Sequence, residues 1–350
     1  MSSFWRLVGV LGLCCLAGVV AADVQPPTEG QASASIADPI ASFDSLLDAD
    51  VTATAYTENC RLCQTCCQPQ WTVRAGAVLL QRSTPDALVL ARPIGGLIQV
   101  SGGEDFNFGV AAGPDVSLER WLDCGCNSIE VRYFGGLDWT SSYDYGNTGD
   151  VRIGPIDFPL AFDVTSDYHS KLDNFEINWR HRHSDRVTLL AGFRYLRLDE
   201  SLNYDVDFVV PNLSGVNWRT NNDLYGAQMG ADLKLWRLGG PLAVNGLFKA
   251  GIFGNSADNH FAYDIVGTPI VQGNGSDSTV AFVGEIGVNA AYQLTRHFSL
   301  RGGYQMLWVS KVALASDQAN LTLQTLDPND MQSSGDVFYH GALVGGEFAW

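Results

Sequence analysis

From Trp71 onward the chain alternates apolar and polar residues with a period of two. In NDLYGAQMGADLKLW, residues 222–236, one parity carries Tyr225, Ala227, Met229, Ala231, Leu233 and Leu235, and the other carries Gln228, Asp232 and Lys234. Successive side chains of a strand point to opposite faces, so this pattern predicts a strand between two unlike environments. The contrast recurs along the chain. Ile129, Val131, Tyr133, Leu137 and Trp139 oppose Glu130, Arg132 and Asp138, while Phe175, Ile177 and Trp179 oppose Asn174, Glu176, Asn178 and Arg180. Phe282, Ile286, Val288 and Tyr292 oppose Glu285 and Asn289, while Phe298, Leu300, Tyr304, Met306 and Trp308 oppose Arg301 and Gln305.

These segments run about 11–15 residues, against about 5–6 for a globular strand and about 9–11 for a membrane-crossing one. Length and face contrast together predict an all-β fold, a transmembrane antiparallel up-and-down β-barrel. Ten strands are expected, at 71–81, 104–122, 128–139, 171–182, 187–198, 222–236, 242–254, 279–293, 297–310 and 336–350. Short connections at 183–185, 237–241 and 294–296 alternate with long ones near 140–170, 199–221, 255–278 and 311–335. Ten strands put every short turn on one side, the periplasmic one in an outer-membrane barrel, and every long loop on the other. Pro114 interrupts the second strand, and DALVLAR and LIQV offer two more, so twelve strands is the alternative.

Aromatics sort to the strand ends. Trp71, Trp179, Tyr292, Phe298, Phe348 and Trp350 are expected to face outward at the turn end, and Trp139, Tyr195, Tyr225, Phe282, Trp308 and Phe338 outward at the loop end. Two such girdles belong at membrane interfaces, where an amphipathic ring sits best. At the N-terminus, Arg6 precedes an apolar run from Leu7 to Val20 and a small-residue site ending at Ala22. Residues 1–22 are therefore expected to be a cleaved export signal, with a membrane anchor as the alternative. Residues 23–70 read as a periplasmic flexible leader with a Cys-rich end, and 71–350 as the barrel.

Composition narrows the chemistry. Charged residues make up 17% of the 350, net charge is −17 and glycine numbers 37. Nucleic acid is excluded as a partner, because phosphate binding needs a basic patch. The polar faces carry both signs: Glu130, Arg132, Glu176, Arg180, Arg194, Asp232, Lys234, Lys249, Glu285 and Arg301 are expected to line the lumen, with Asp138 among them. Barrels of about 8 strands are filled by side chains and those of about 16–18 leave an open channel. Ten or twelve strands thus point to a narrow or gated pore for small solutes or ions.

No residue set is expected to be catalytic, and no cofactor is implied. His181 to Asp185 hold suitable types but fall in a tight turn, and Asp258-Asn259-His260 fall in an outer loop. The loops near 140–170 and 199–221, with Asp144, Asp150, Asp157, Asp163, Asp167, Asp199, Glu200, Asp205 and Asp207, read as an acidic solvated surface. Cys60, Cys63, Cys66, Cys67, Cys124 and Cys126 remain once residues 1–22 are removed, spaced as CxxC and CxC. Zinc ligation is one reading, and disulfides, at least one tying the leader to the turn at 123–128, is the favoured one for an exported chain.

The last strand, DVFYHGALVGGEFAW, places Phe338, Ala342, Val344, Phe348 and Trp350 on one face. In this it resembles bacterial outer-membrane β-barrels, whose closing strand commonly ends in an aromatic. That resemblance implies that Phe348 and Trp350 are an assembly signal read by the barrel insertion machinery. CRLCQTCCQPQWTVRAGAVLLQR, IEVRYFGGLDW, NFEINWRHR and LLAGFRYLRLDE further resemble the Putative β-barrel porin family over about residues 60–350. The resemblance implies outer-membrane lipid as surroundings and a porin-like role, and it brings no ligand residues. A structural or surface-interaction barrel is the alternative role.

Overall fold

The computed structural model describes residues 70–350 apart from 87, 95–100, 123–125, 147–148, 209–213, 237–239 and 266. The export signal, most of the leader, Cys60, Cys63, Cys66, Cys67 and Cys124, and the LIQV stretch lie outside the described residues. Thirteen strands run in chain order: β1 (Trp71–Arg82), β2 (Val89–Pro93), β3 (Ser101–Gly102), β4 (Val110–Leu122), β5 (Asn127–Asp144), β6 (Gly149–Ile153), β7 (Ile156–Arg182), β8 (Val187–Phe208), β9 (Ser214–Trp236), β10 (Leu242–Ile265), β11 (Thr268–Gln293), β12 (Phe298–Val312) and β13 (Gly335–Ala349). One helix, α1 (Ala315–Thr325), lies between β12 and β13.

Ten of these strands close a ring. The order runs β7-β5-β4-β1-β13-β12-β11-β10-β9-β8, and β8 pairs back onto β7. All ten pairings are antiparallel, so the ten-stranded reading holds for the ring. β13 closes on β1 with Phe348 opposite Val73, and the Trp71 amide donates to the Trp350 carbonyl at 3.0 Å. Closure leaves no row of unpaired backbone groups for lipid to meet. Short turns finish the other end: the amides of His183 and Ser184 donate to the Val187 carbonyl, and those of Leu294 and Thr295 to that of Phe298.

An apolar belt faces outward. Phe175, Ile177, Trp179, Met229, Ile252, Val280, Ile286, Leu300, Tyr304, Phe348 and Trp350 are all exposed. Both girdles form around it with one exception, Trp139, whose ring is buried inside the barrel. The cause is local. The β5–β7 register shifts between Phe134 and Leu137, and Gly136 sits there with φ +62°, a conformation glycine reaches without a steric penalty. The one extra residue forms a bulge that flips every later side chain of β5 to the other face. Leu137 and Trp139 therefore turn inward, and Asp138, expected in the lumen, lies outside against Lys171 at 3.4 Å.

Strand lengths differ sharply around the ring. β1 and β4 have 12 and 13 residues, close to one membrane crossing, whereas β7 has 27 and β11 has 26. Most of the expected long loops near 140–170, 199–221 and 255–278 are thus continuations of strands, a wall standing above the belt. β2, β3 and β6 extend that wall from the loop end of β7 and add no staves to the ring. DALVLAR does contribute β2, but not as a membrane strand. The segment between β1 and β4 and the segment carrying α1 fold over and into the top of the ring.

Candidate functional site: a charged vestibule beneath an apolar plug

The lumen divides into two chambers of opposite character. At the turn end, a cavity of about 800 Å³ is lined by Arg74, Glu119, Glu130, Arg132, Arg180, Asp232, Lys234, Lys249 and Arg301. Seven of the ten lumen charges expected from sequence line it; Lys234 sits at its exposed rim. Glu176, Arg194 and Glu285 do not line the cavity. They close its inner end as a buried cluster.

That cluster draws on strands all around the ring. Glu176, fully buried, accepts from Lys249 Nζ at 2.8 Å, Gln228 Nε2 at 2.7 Å and Asn178 Nδ2 at 3.1 Å. Glu285 accepts from Arg132 Nη1 at 3.0 Å and Arg194 Nη1 at 2.8 Å. Arg132 also donates through Nε and Nη2 to both oxygens of Asp115, 3.0 Å each, a planar fork that suits a carboxylate. A charge inside so narrow a barrel is tolerable only when its desolvation is offset by partners of this quality. The cluster is thereby a rigid cross-brace as well as a barrier.

A second tier lies nearer the mouth. Arg74 donates to Glu119 at 2.8 Å, Glu130 at 3.1 Å and Glu347 at 2.8 Å. Arg180 bonds both Glu130 and Asp232, and Arg301 approaches Glu347 at 3.9 Å. Arg74, Asp115, Glu119 and Glu347 were missed in the sequence. Each stands on the inward parity of its strand, the same signal that exposed the others, but on β1, β4 and β13 these charges are scattered among small and apolar residues.

Above the cluster the inward face turns apolar. On β8, Leu196, Leu198, Leu202, Tyr204 and Val206 point in; on β9, Val216, Trp218 and Leu224 do. They meet Phe106 and Phe108 from the segment before β4 and Ala315 and Ala319 from α1. Trp218 Nε1 donates to Thr322 Oγ1 at 3.1 Å, and Tyr168 packs edge-on against Phe106 and Phe108 with ring centres 5.1 and 5.2 Å apart. Asn222 clasps the chain entering α1: it donates to the Ala313 carbonyl at 2.9 Å and accepts from the Ala313 amide at 2.7 Å.

Glu200 overturns the solvated reading of its segment. It is buried, and accepts from Arg82 Nη2 at 2.5 Å, Tyr168 OH at 2.5 Å, Ser170 Oγ at 3.0 Å and the Ala315 amide at 3.1 Å. It thus latches the start of α1 to the wall. Its neighbours Asp199 and Asp205 face outward, as expected; burial and the nearby carboxylates of Asp167, Asp264 and Asp207 raise the Asp205 carboxyl above its ordinary range. His260 lies in β10 rather than in a loop, bonded to Asn274 Oδ1 at 2.8 Å. Cys126 is buried at the turn end, where its carbonyl accepts from the Arg182 amide.

Residues 265–350 match the family model described as Putative beta barrel porin-7. The match takes in β11, β12, α1 and β13, a shorter span than the resemblance read from sequence. No curated protein matches the chain. Among solved structures it is similar to the outer membrane protease OmpT from Escherichia coli, at 11% identity, TM-score 0.47, over 82% of this chain and 100% of that one. It is also similar to the translocator domain of autotransporter NalP from Neisseria meningitidis, at 10% identity, TM-score 0.40, over 87% and 99%. A third is the toluene transporter TodX from Pseudomonas putida, at 10% identity, TM-score 0.29, over 83% and 92%.

Proposed function

We propose that the protein is a porin-like barrel of the bacterial outer membrane, turn end in the periplasm, acting as a narrow gated channel for small solutes or ions. The observation that carries this reading is the charge-lined vestibule of about 800 Å³ that ends beneath a plug made of separate loop segments. A wall alone has no need of such a vestibule. Within the plug, α1 is held to the wall through the side chains of Trp218, Asn222 and Glu200, so the helix can leave while the ten-strand ladder stays intact. The match of residues 265–350 to a family of porin description supports the same reading.

Planar-bilayer recording of refolded protein tests it. The full chain is expected to give small, infrequent openings, and a variant with residues 315–333 replaced by a short Gly-Ser linker to give larger and longer ones. Silence from both across a range of voltages would favour the second reading, a structural or surface-interaction barrel, which the packed outer chamber also fits.

Four features complete the proposal. Outer-membrane lipid covers the apolar belt, and insertion machinery reads the β13 strand through Phe348 and Trp350. Residues 1–22 are removed on export, which mass measurement of the mature N-terminus would verify. At least one disulfide joins the Cys60–Cys67 group to Cys124 or Cys126; non-reducing peptide maps with links only inside 60–67 would refute it.

A further inference from the structure

The helix of the plug carries one carboxylate that pairs with no basic side chain among the described residues. Asp317 lies in the first turn of α1, above the membrane-spanning part of the ring. The groups facing it are Glu200 from β8, Arg82 from β1, Asp86 from the segment after β1 and Asp336 from the start of β13, with Lys311 beside Asp336. Three of these are carboxylates. The one cation among the groups acting on Asp317, Arg82, is committed elsewhere, with Nη2 on Glu200 and Nη1 on the Ser83 carbonyl at 3.2 Å. Among the described residues no basic side chain pairs with Asp317. The packing is close: a Cβ on Gly335 would stand 2.5 Å from Asp317 Oδ2, so the carboxyl rests against bare backbone there.

We propose that α1 is a proton-dependent latch: it seats in the outer chamber when Asp317 is protonated and is released when Asp317 ionises beside Glu200, Asp86 and Asp336. Burial first, then the charges of Glu200 and Asp86, push the Asp317 carboxyl up to about 7. A released helix exposes that carboxyl to water, where it titrates in the ordinary range near 3.8. The seated state therefore binds the proton more tightly. Its added stability is fully present below that ordinary range, falls as pH rises, and is gone above about 7. The latch is independent of whether the barrel conducts, since it concerns only where the helix sits.

Hydrogen exchange of the full chain, refolded in vesicles and corrected for the intrinsic pH effect, reads the seating directly. Amides of 315–325 are expected to lose protection by about tenfold or more between pH 5.5 and 8.5, while those of 242–252 in the belt keep theirs. Asp317→Asn, which holds the side chain neutral, should keep α1 protected at both pH values. Asp336→Asn, which removes one repelling carboxylate, should move the wild-type transition to higher pH. Equal protection of wild-type α1 at the two pH values overturns the proposal, even if Asp317→Asn does not fold. So does an undiminished pH response in Asp317→Asn. Because no current is measured, a silent barrel would sink the channel reading and leave this result standing.

Discussion

The vestibule and the outer chamber stand on the same ring, with the inward parity kept along most strands and switched at the β5 bulge, yet they solve opposite problems. In the belt the apolar face is turned outward and the polar face is left to fill a narrow lumen. Charges there survive by pairing across the ring, as Glu176 does with Lys249 and Glu285 does with Arg194. Above the belt the outside is polar, with Asp199, Ser201, Asn203 and Asp205 outward on β8, and the inside is apolar. An apolar inner face in water needs a cover, and α1 with the segment before β4 supplies it. The difference teaches that strand parity fixes which way a side chain points, and that the medium outside decides which kind of side chain each face carries.

The largest expected effect breaks the ring that both chambers share. Deleting Phe348 to Trp350 removes the end of the β1–β13 seam and should abolish membrane assembly, seen as loss of the heat-modifiable band and of the membrane fraction. Next come single substitutions that set one chamber against the other. Glu176→Ala leaves Lys249 buried without its nearest carboxylate and should cost about 3–5 kcal/mol in global unfolding of the refolded barrel. Trp218→Ala opens a cavity against α1 and should cost about 3–5 kcal/mol, expressed mainly as faster exchange of 315–325. Comparable losses of both readouts from both substitutions would mean that the chambers are one cooperative unit. Gly136→Val forces a β-branched residue to positive φ at the β5 bulge and should cost about 1–3 kcal/mol by denaturant midpoint. Smallest is Asp138→Asn, within about 0.5 kcal/mol, because the bulge has put that carboxylate outside; a loss several times larger would argue that Asp138 still faces the lumen.

Much of this architecture was legible as alternation. The ten staves, their ends near Trp71, Arg182, Val187, Trp236 and Leu242, and the inward Glu130, Arg132, Glu176, Arg180, Arg194, Lys249 and Glu285 all follow from period two and strand length. The tall wall was not, because its alternation runs with reversed polarity. In LRLDESLNYDV, Leu196, Leu198, Leu202, Tyr204 and Val206 continue the inward parity of Arg194, so the signal was present once apolar-inside was allowed. Asp144, Asp163 and Asp207 looked like loop residues only because strands above a membrane carry polar outer faces. The β5 bulge had a weaker mark, the Gly135-Gly136 pair, which permits a flip without requiring it.

The all-β class, the ten membrane crossings, the apolar belt and the mixed lumen charges were readable along the chain, because each depends on a residue's own parity and polarity. That Glu200 is a buried latch, that Trp139 turns inward, that α1 fills the outer chamber and that no described cation pairs with Asp317 emerged only from the folded ring. Those depend on which distant groups share one place. Arg82, Tyr168, Glu200 and Ala315 meet only because the ring closes and the loop segments fold back into it, and no local pattern encodes that meeting.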